Sequence, residues 1–170
     1  VSGMYLGEIM RLVLKDLARK KHIFGKKDQR ILNKRGIIKT EYMSSIEEDR
    51  SKNLSKTKRV LKKIGILNSK YEDRKLTKKV CSVISTRAAR VSAAAIAATV
   101  TKIDSTLSKR HTIAIDGSVY EKYPGFSKKI KATLNEYFKK KSRNIKLTLA
   151  KDGSGKGAAI IAAVSRYAAG

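Results

Sequence analysis

Apolar residues recur at helical spacing along most of this chain and alternate in only one clear stretch. Over 2–23, Tyr5, Ile9, Leu12, Val13 and Leu17 fall on one stripe, with Arg11, Lys15, Arg19 and Lys20 off it, which predicts an amphipathic helix. Gly25, flanked by lysines, ends it. A short helical turn over 28–34 and a loop or extended piece over 35–40 follow. Ser44 or Ser45 then offers a cap for a helix that turns Ile46 inward. A longer helix over about 52–64 carries Leu54, Val60, Leu61 and Ile64 on one side and lysines on the other, and Gly65 stops it. The longest helix is expected from about Asp73 to Ile103, with an inner stripe of Leu76, Val80, Val83, Ile84, Ala88, Val91, Ala95 and Ala98. Its alanine-rich second half suits close packing against a sheet, because small side chains allow a short approach.

Two strands are expected. Thr112–Ile115 is one; Asn144–Ala150 is the other, where Ile145, Leu147 and Leu149 alternate with Lys146 and Thr148. Between them a helix over 125–139 turns Ile130, Leu134, Tyr137 and Phe138 inward, with the sole proline, Pro124, near its start. A last helix over about 156–168 is expected to bury Ile160, Ile161 and Val164. Two strands cannot form a sheet that covers six helices. No internal repeat or Pro/Gly linker divides the chain, and 170 residues suit one domain over 1–170.

Charge changes this picture. Forty Lys and Arg stand against fourteen Asp and Glu, a formal net charge of +26, spread along the chain rather than confined to a tail. Such a field attracts polyanions, whether nucleic acid, acidic membrane or nucleotide; the same lysines also suit a merely solvated surface. The single cysteine, Cys81, rules out an internal disulfide and reads as a buried, inert thiol of a reducing, cytoplasmic compartment. His22 and His111 lack companions at metal-ligand spacing, so no metal site is expected. No signal segment opens the chain, and the most apolar run, Val91 to Val100, is too short to span a bilayer, so no transmembrane segment is expected.

The candidate chemistry lies in turns. Asp116-Gly117-Ser118 follows the apolar run Ile113-Ala114-Ile115, so a strand hands over to a tight turn at its carboxyl end, where α/β proteins place nucleotides. Asp116 is expected to hold the turn through its own backbone bonds. Asp152-Gly153-Ser154-Gly155-Lys156-Gly157 joins the other strand to a helix, whose free N–H groups suit a phosphate or ribose oxygen. It is neither a Walker A loop, since Gly157 stands where Ser or Thr belongs, nor a dinucleotide fingerprint, since its third glycine comes one residue early. A purely structural turn is the other reading of both.

Taken together and in order, Val1-Ser2-Gly3-Met4-Tyr5-Leu6-Gly7-Glu8, Arg35-Gly36-Ile37-Ile38-Lys39-Thr40 running into Ser44, Cys81 to Arg90, Asp116 to Tyr120 and Asp152 to Ala159 resemble the carboxyl-terminal half of a hexokinase. The resemblance spans nearly the whole chain. It implies an α/β fold: a partial ribonuclease-H-like, actin-like ATPase lobe, helix-rich with few strands. It further implies Mg-ATP as cofactor and ATP contact at Gly3, Met4, Thr40, Ser44, Gly117, Ser118, Val119, Gly153, Ser154 and Gly155, with Thr40 and Ser44 donating hydroxyls. In that family the catalytic Asp, the glycine-rich phosphate hairpin, the sugar-binding carboxylates and the remaining strands lie in parts of the fold that precede the stretch matched here. Glu8, Glu47 and Asp49 are therefore expected to be salt-bridge partners of Arg11 and Arg50, or helix caps, and no catalytic residue is assigned.

The resemblance implies transfer of the γ-phosphoryl group of Mg-ATP to the 6-hydroxyl of a hexose by the intact protein, and no turnover by this chain alone. The alternative is a non-catalytic binding module in which the basic surface contacts RNA, DNA or an acidic partner.

Overall fold

A computed structural model describes residues 3–168, apart from the side chains of residues 154 and 165–168. Eight α-helices, one 3-10 helix and two strands occur among the described residues. Helix α1 (Gly3–Arg19) leads through α2 (Lys26–Ile31), α3 (Thr40–Glu47) and α4 (Ser55–Lys63) to the 33-residue α5 (Tyr71–Ile103). Strand β1 (His111–Ile115), α6 (Ser118–Lys122), α7 (Phe126–Phe138), the 3-10 helix (Lys139–Asn144), β2 (Ile145–Leu149) and α8 (Gly153–Ala168) follow.

Helices α1, α3, α4 and α7 all pack on α5. That helix is long and apolar enough, by length and composition, to cross a membrane, and 44% of its most apolar window is buried inside the fold. It serves here as the core helix. Asp73 fixes its start by accepting the Lys70 N–H at 2.7 Å and the Phe24 N–H at 3.2 Å. The two strands pair in parallel, with His111 opposite Ile145 and Ile115 opposite Leu149. A parallel pair needs a crossover, which α6, α7 and the 3-10 helix supply.

Several expected faces are turned. Helix α1 buries Leu6, Met10, Leu14 and Ala18, while Tyr5, Leu12 and Val13 are exposed. The buried stripe is the expected one rotated by one residue, and it takes Arg11 with it. Two adjacent stripes of α1 are both apolar, so periodicity cannot choose between them. Gly7 chooses, because a Cβ there would lie 2.1 Å from the Ile38 carbonyl oxygen. Only the Gly7 face admits that backbone.

On α5, Val80, Ile84 and Ala88 are buried as expected, but the buried line runs on through Cys81, Ser85, Ala89, Ala93 and Ala97 to Val100, and Val83, Val91, Ala95 and Ala98 are exposed. This line of small residues faces helices, chiefly α7, rather than the sheet; a cavity of about 690 Å³ separates β1 from Val91, Ala95 and Ile96. Tyr137 of α7 is exposed, whereas Ile130 and Leu134 are buried as expected. Ile160, Ile161 and Val164 are exposed as well, because α8 makes little contact with the other elements. Ser44 and Ser45 are not caps. Helix α3 already starts at Thr40, and their hydroxyls donate back to the Thr40 and Glu41 carbonyls at 3.4 and 3.2 Å.

Candidate functional site

Three segments far apart in sequence meet at one groove of about 810 Å³. The start of α1 brings Gly3 and Met4. The loop into α3 brings Gly36, Ile38, Lys39 and Thr40, with Glu41 and Ser44 behind it. Helix α6 brings Ser118, Val119 and Lys122. Both α1 and α3 therefore open onto the groove, where the positive end of each helix dipole favours negative charge.

The segments are held by close approach. A Cβ on Gly3 would lie 2.6 Å from Val119 Cγ2, so the start of α1 presses on the α6 turn. Thr40 donates its hydroxyl to the Gly3 carbonyl, and Gly7 N–H donates to Thr40 Oγ1 at 3.3 Å. The Thr40 hydroxyl is thus not a free donor, contrary to expectation: it clamps α3 to α1 and shapes the groove. Ser44 lines the groove with a hydroxyl held only by a long bond of 3.4 Å.

Gly117 lines the adjoining cavity, together with Asp116, Ser118 and Val119. Its backbone lies at φ 138°, ψ 138°. L-residues seldom adopt that region, and the torsion sets the direction in which Ser118 and Val119 leave the strand. Gly117→Ala is expected to cost about 1–3 kcal/mol, visible as a lower urea midpoint. An unchanged midpoint would mean that the turn relaxes freely. The Asp116 carboxylate lies on the side of Gly153, where its Oδ2 would stand 3.8 Å from an added Cβ.

That proximity shows how the fourth motif is placed. Parallel pairing ends with Ala150 N–H donating to the Ile115 carbonyl at 2.9 Å, so the turns after β1 and β2 are neighbours. Gly153 and Gly155 stand at the start of α8, beside Asp116 and Asp152, and they do not line the groove. The Ser154 side chain lies outside the described residues.

The three nominated carboxylates all have structural duties. Glu8 forms a two-pronged pair with Arg11, at 2.8 Å from Nε and 2.6 Å from a terminal nitrogen, and that pair lowers its pKa to about 2. Arg11 is itself buried and donates to the Leu32 carbonyl. Asp49 is fully buried and caps α4, accepting Thr57 N–H at 2.7 Å and the Ser51 hydroxyl at 2.5 Å. Burial works against its charge, but these bonds outweigh burial and hold its pKa below the usual carboxylate range. It does not pair with Arg50.

Glu47 pairs with neither Arg11 nor Arg50. One carboxylate oxygen accepts the Tyr123 hydroxyl at 2.7 Å and the Ser85 hydroxyl at 2.8 Å, and the other takes the Lys129 ammonium. This carboxylate joins α3 to α5, α7 and the end of the α6 turn. Tyr123 also meets Cys81 Sγ at 3.3 Å, and burial pushes the Cys81 thiol up to about 12 and the Tyr123 hydroxyl far above its ordinary range. The expected inert, buried thiol is what is found. The hub was not legible in the sequence, since its members stand up to 82 residues apart.

The chain as a whole is similar to known proteins. The hexokinase family model matches residues 1–164. The chain belongs to the hexokinase family. Hexokinase-1 of Homo sapiens is 41% identical over 167 residues, which are 96% of this chain and 18% of that protein, and Homo sapiens hexokinase-2 is 36% identical over 168 residues. The hexokinase of Schistosoma mansoni complexed with glucose superposes with a TM-score of 0.82 at 30% identity, covering 96% of this chain and 36% of that one. A second hexokinase structure, 20% identical, matches at a TM-score of 0.76 and supports the fold. The fold is therefore that of an actin-like ATPase lobe, seen in part, and the family is one of sugar phosphotransferases. The chain spans under a fifth of the length of the curated hexokinases that it matches.

Proposed function

We propose that this hexokinase-family chain forms the adenosine-side wall of an ATP site. The observation that carries this reading is the convergence of Gly3-Met4, the 36–44 segment and Ser118-Val119 on one groove of about 810 Å³, a volume suited to a nucleotide. In this reading the starts of α1 and α3 turn their positive dipole ends toward phosphate, with Lys39 and Lys122 adding positive charge at the rim. Val119 supplies an apolar surface for the purine, and Ser118 supplies a hydroxyl. Gly153 and Gly155 serve from the neighbouring turn by holding the end of β2 against Asp116.

Magnesium enters with the triphosphate, since among the described residues no three metal-ligating side chains gather in one place. Mg-ATP, when bound, supplies the phosphoryl group and offsets its charge. The intact protein phosphorylates a hexose at its 6-hydroxyl. In this reading the chain alone binds nucleotide weakly and does not turn over; the three carboxylates nominated above, Glu8, Glu47 and Asp49, are engaged by Arg11, by Lys129 and Tyr123, and by Thr57.

Calorimetric titration with ATP tests the groove. Val119→Asp places a carboxylate beside the phosphate-favouring helix starts and is expected to weaken binding at least about tenfold, or 1.4 kcal/mol. Equal affinity of the two proteins would remove the groove from consideration. A coupled assay for ADP release with glucose tests the second clause: sugar-dependent release by the isolated chain above a heat-killed control would refute it.

A further inference from the structure

Three concavities of this molecule adjoin one another through shared lining residues. The groove just described shares Gly36 and Lys39 with a hollow of about 460 Å³, which shares Gly65 with a third of about 710 Å³. The middle hollow carries Lys34, Arg35, Lys39 and Lys63 and no acidic residue. The third carries Lys21, Lys26, Lys27 and Lys70. None of these cations is in a salt bridge among the described residues. The acidic members of the third hollow are Asp28 and Asp73, and Asp73 is already engaged by the Lys70 and Phe24 N–H groups; Glu8, engaged by Arg11, and Glu41 line the groove at the other end.

We infer that this connected trench binds an extended chain of phosphates, inorganic polyphosphate, along the loop 21–27, the loop 34–39 and the start and end of the α4–α5 connection. Its cations come from adjoining hollows rather than from one flat face, which suits a flexible polyanionic chain better than a flat anionic membrane. Its cations are almost all lysines, which act as point charges toward phosphate rather than as planar forks. It offers little aromatic platform for base stacking: the Lys63 ammonium sits over one face of the Tyr42 ring at 5.0 Å, Phe24 is only partly exposed, and His22 is the one exposed ring in the third hollow. Single-stranded nucleic acid relies on such stacking, and polyphosphate does not. The proposal stands apart from the nucleotide reading, because Lys34, Arg35 and Lys63 of the middle hollow and all the cations of the third lie outside the groove lining.

The test compares the whole chain with two fourfold variants of equal charge loss. Lys26→Gln, Lys27→Gln, Arg35→Gln and Lys63→Gln strip the trench; Lys128→Gln, Lys131→Gln, Lys140→Gln and Lys146→Gln neutralise exposed lysines on α7, the 3-10 helix and β2. Binding of labelled polyphosphate, a single-stranded oligonucleotide and anionic lipid vesicles is measured across a salt series. The trench variant is expected to bind polyphosphate at least tenfold more weakly and with a shallower salt slope, by about 0.7 per lost contact, while the control variant changes by less than threefold. Equal losses in both variants would mean that the net charge alone attracts polyanions and would overturn the trench. Oligonucleotide or vesicle binding that is as tight as polyphosphate binding, and equally sensitive to the trench variant, would replace polyphosphate as the ligand. Circular dichroism of both variants checks that the fold is kept.

Discussion

Gly7→Ala is expected to destabilise this chain by about 3 kcal/mol, the upper end for overpacking, although alanine is the better helix former by nearly 1 kcal/mol. The two effects have opposite signs, so the result decides between them. Gly7 lies inside α1, where helix propensity alone would make alanine stabilising. The added methyl would lie 2.1 Å from the Ile38 carbonyl oxygen, 2.9 Å from its carbon and 3.0 Å from the Lys39 carbonyl carbon. These are backbone atoms and cannot rotate away. Either α1 moves off the 36–40 segment or that segment moves, and both line the groove. A fall in the urea midpoint, with weaker ATP binding in calorimetry, is the expected outcome. A higher midpoint would show that the approach of α1 to Ile38 is wrong.

The second large effect belongs to Glu47. Glu47→Ala removes the acceptor shared by Ser85, Tyr123 and Lys129 and leaves a largely buried ammonium without its partner; the Lys129 side chain is 23% exposed. Breaking such a pair from one side costs about 3 kcal/mol or more. Glu47→Gln keeps the shape and one acceptor oxygen and is expected to lose less. Cys81 provides an independent readout. It is fully buried against Tyr123 and the Met43 carbonyl, so it should resist thiol reagents in the native chain and react faster in Glu47→Ala. Equal reactivity in all three proteins would argue against the hub.

These two residues also show where sequence reading stopped. Gly7 is visible as part of the motif Gly3-Met4-Tyr5-Leu6-Gly7-Glu8, but its reason is a contact with a backbone 31 positions on. Glu47 is visible as a carboxylate near Arg50, and proximity along the chain suggested that partner. Its actual partners come from α5, the α6 turn and α7, which no local pattern announces. The same holds for Thr40. A hydroxyl in a motif reads as a donor to ligand, yet the folded chain turns it toward the Gly3 carbonyl. Asp152-Gly153-Ser154-Gly155 shows the converse: the motif is plain in sequence, and the fold sets it beside Asp116 rather than in the groove.

What the sequence determined by itself was the family and most of the elements; the short α6 and the 3-10 helix were not expected. Helical periodicity, the alternation at Ile145, Leu147 and Leu149, and glycines after strands are local properties of the backbone and its side chains, and ordered motifs identify a lineage without any folding argument. What only the tertiary structure decided was which face of each helix is inside. Helix α1 carries two apolar stripes 100° apart, and α5 carries alanines on several sides. The choice between them rests on close contacts with distant segments: Gly7 against Ile38, and the line from Cys81 to Ala97 against the neighbouring helices. Those contacts are set by shape at separations that a periodic pattern does not encode.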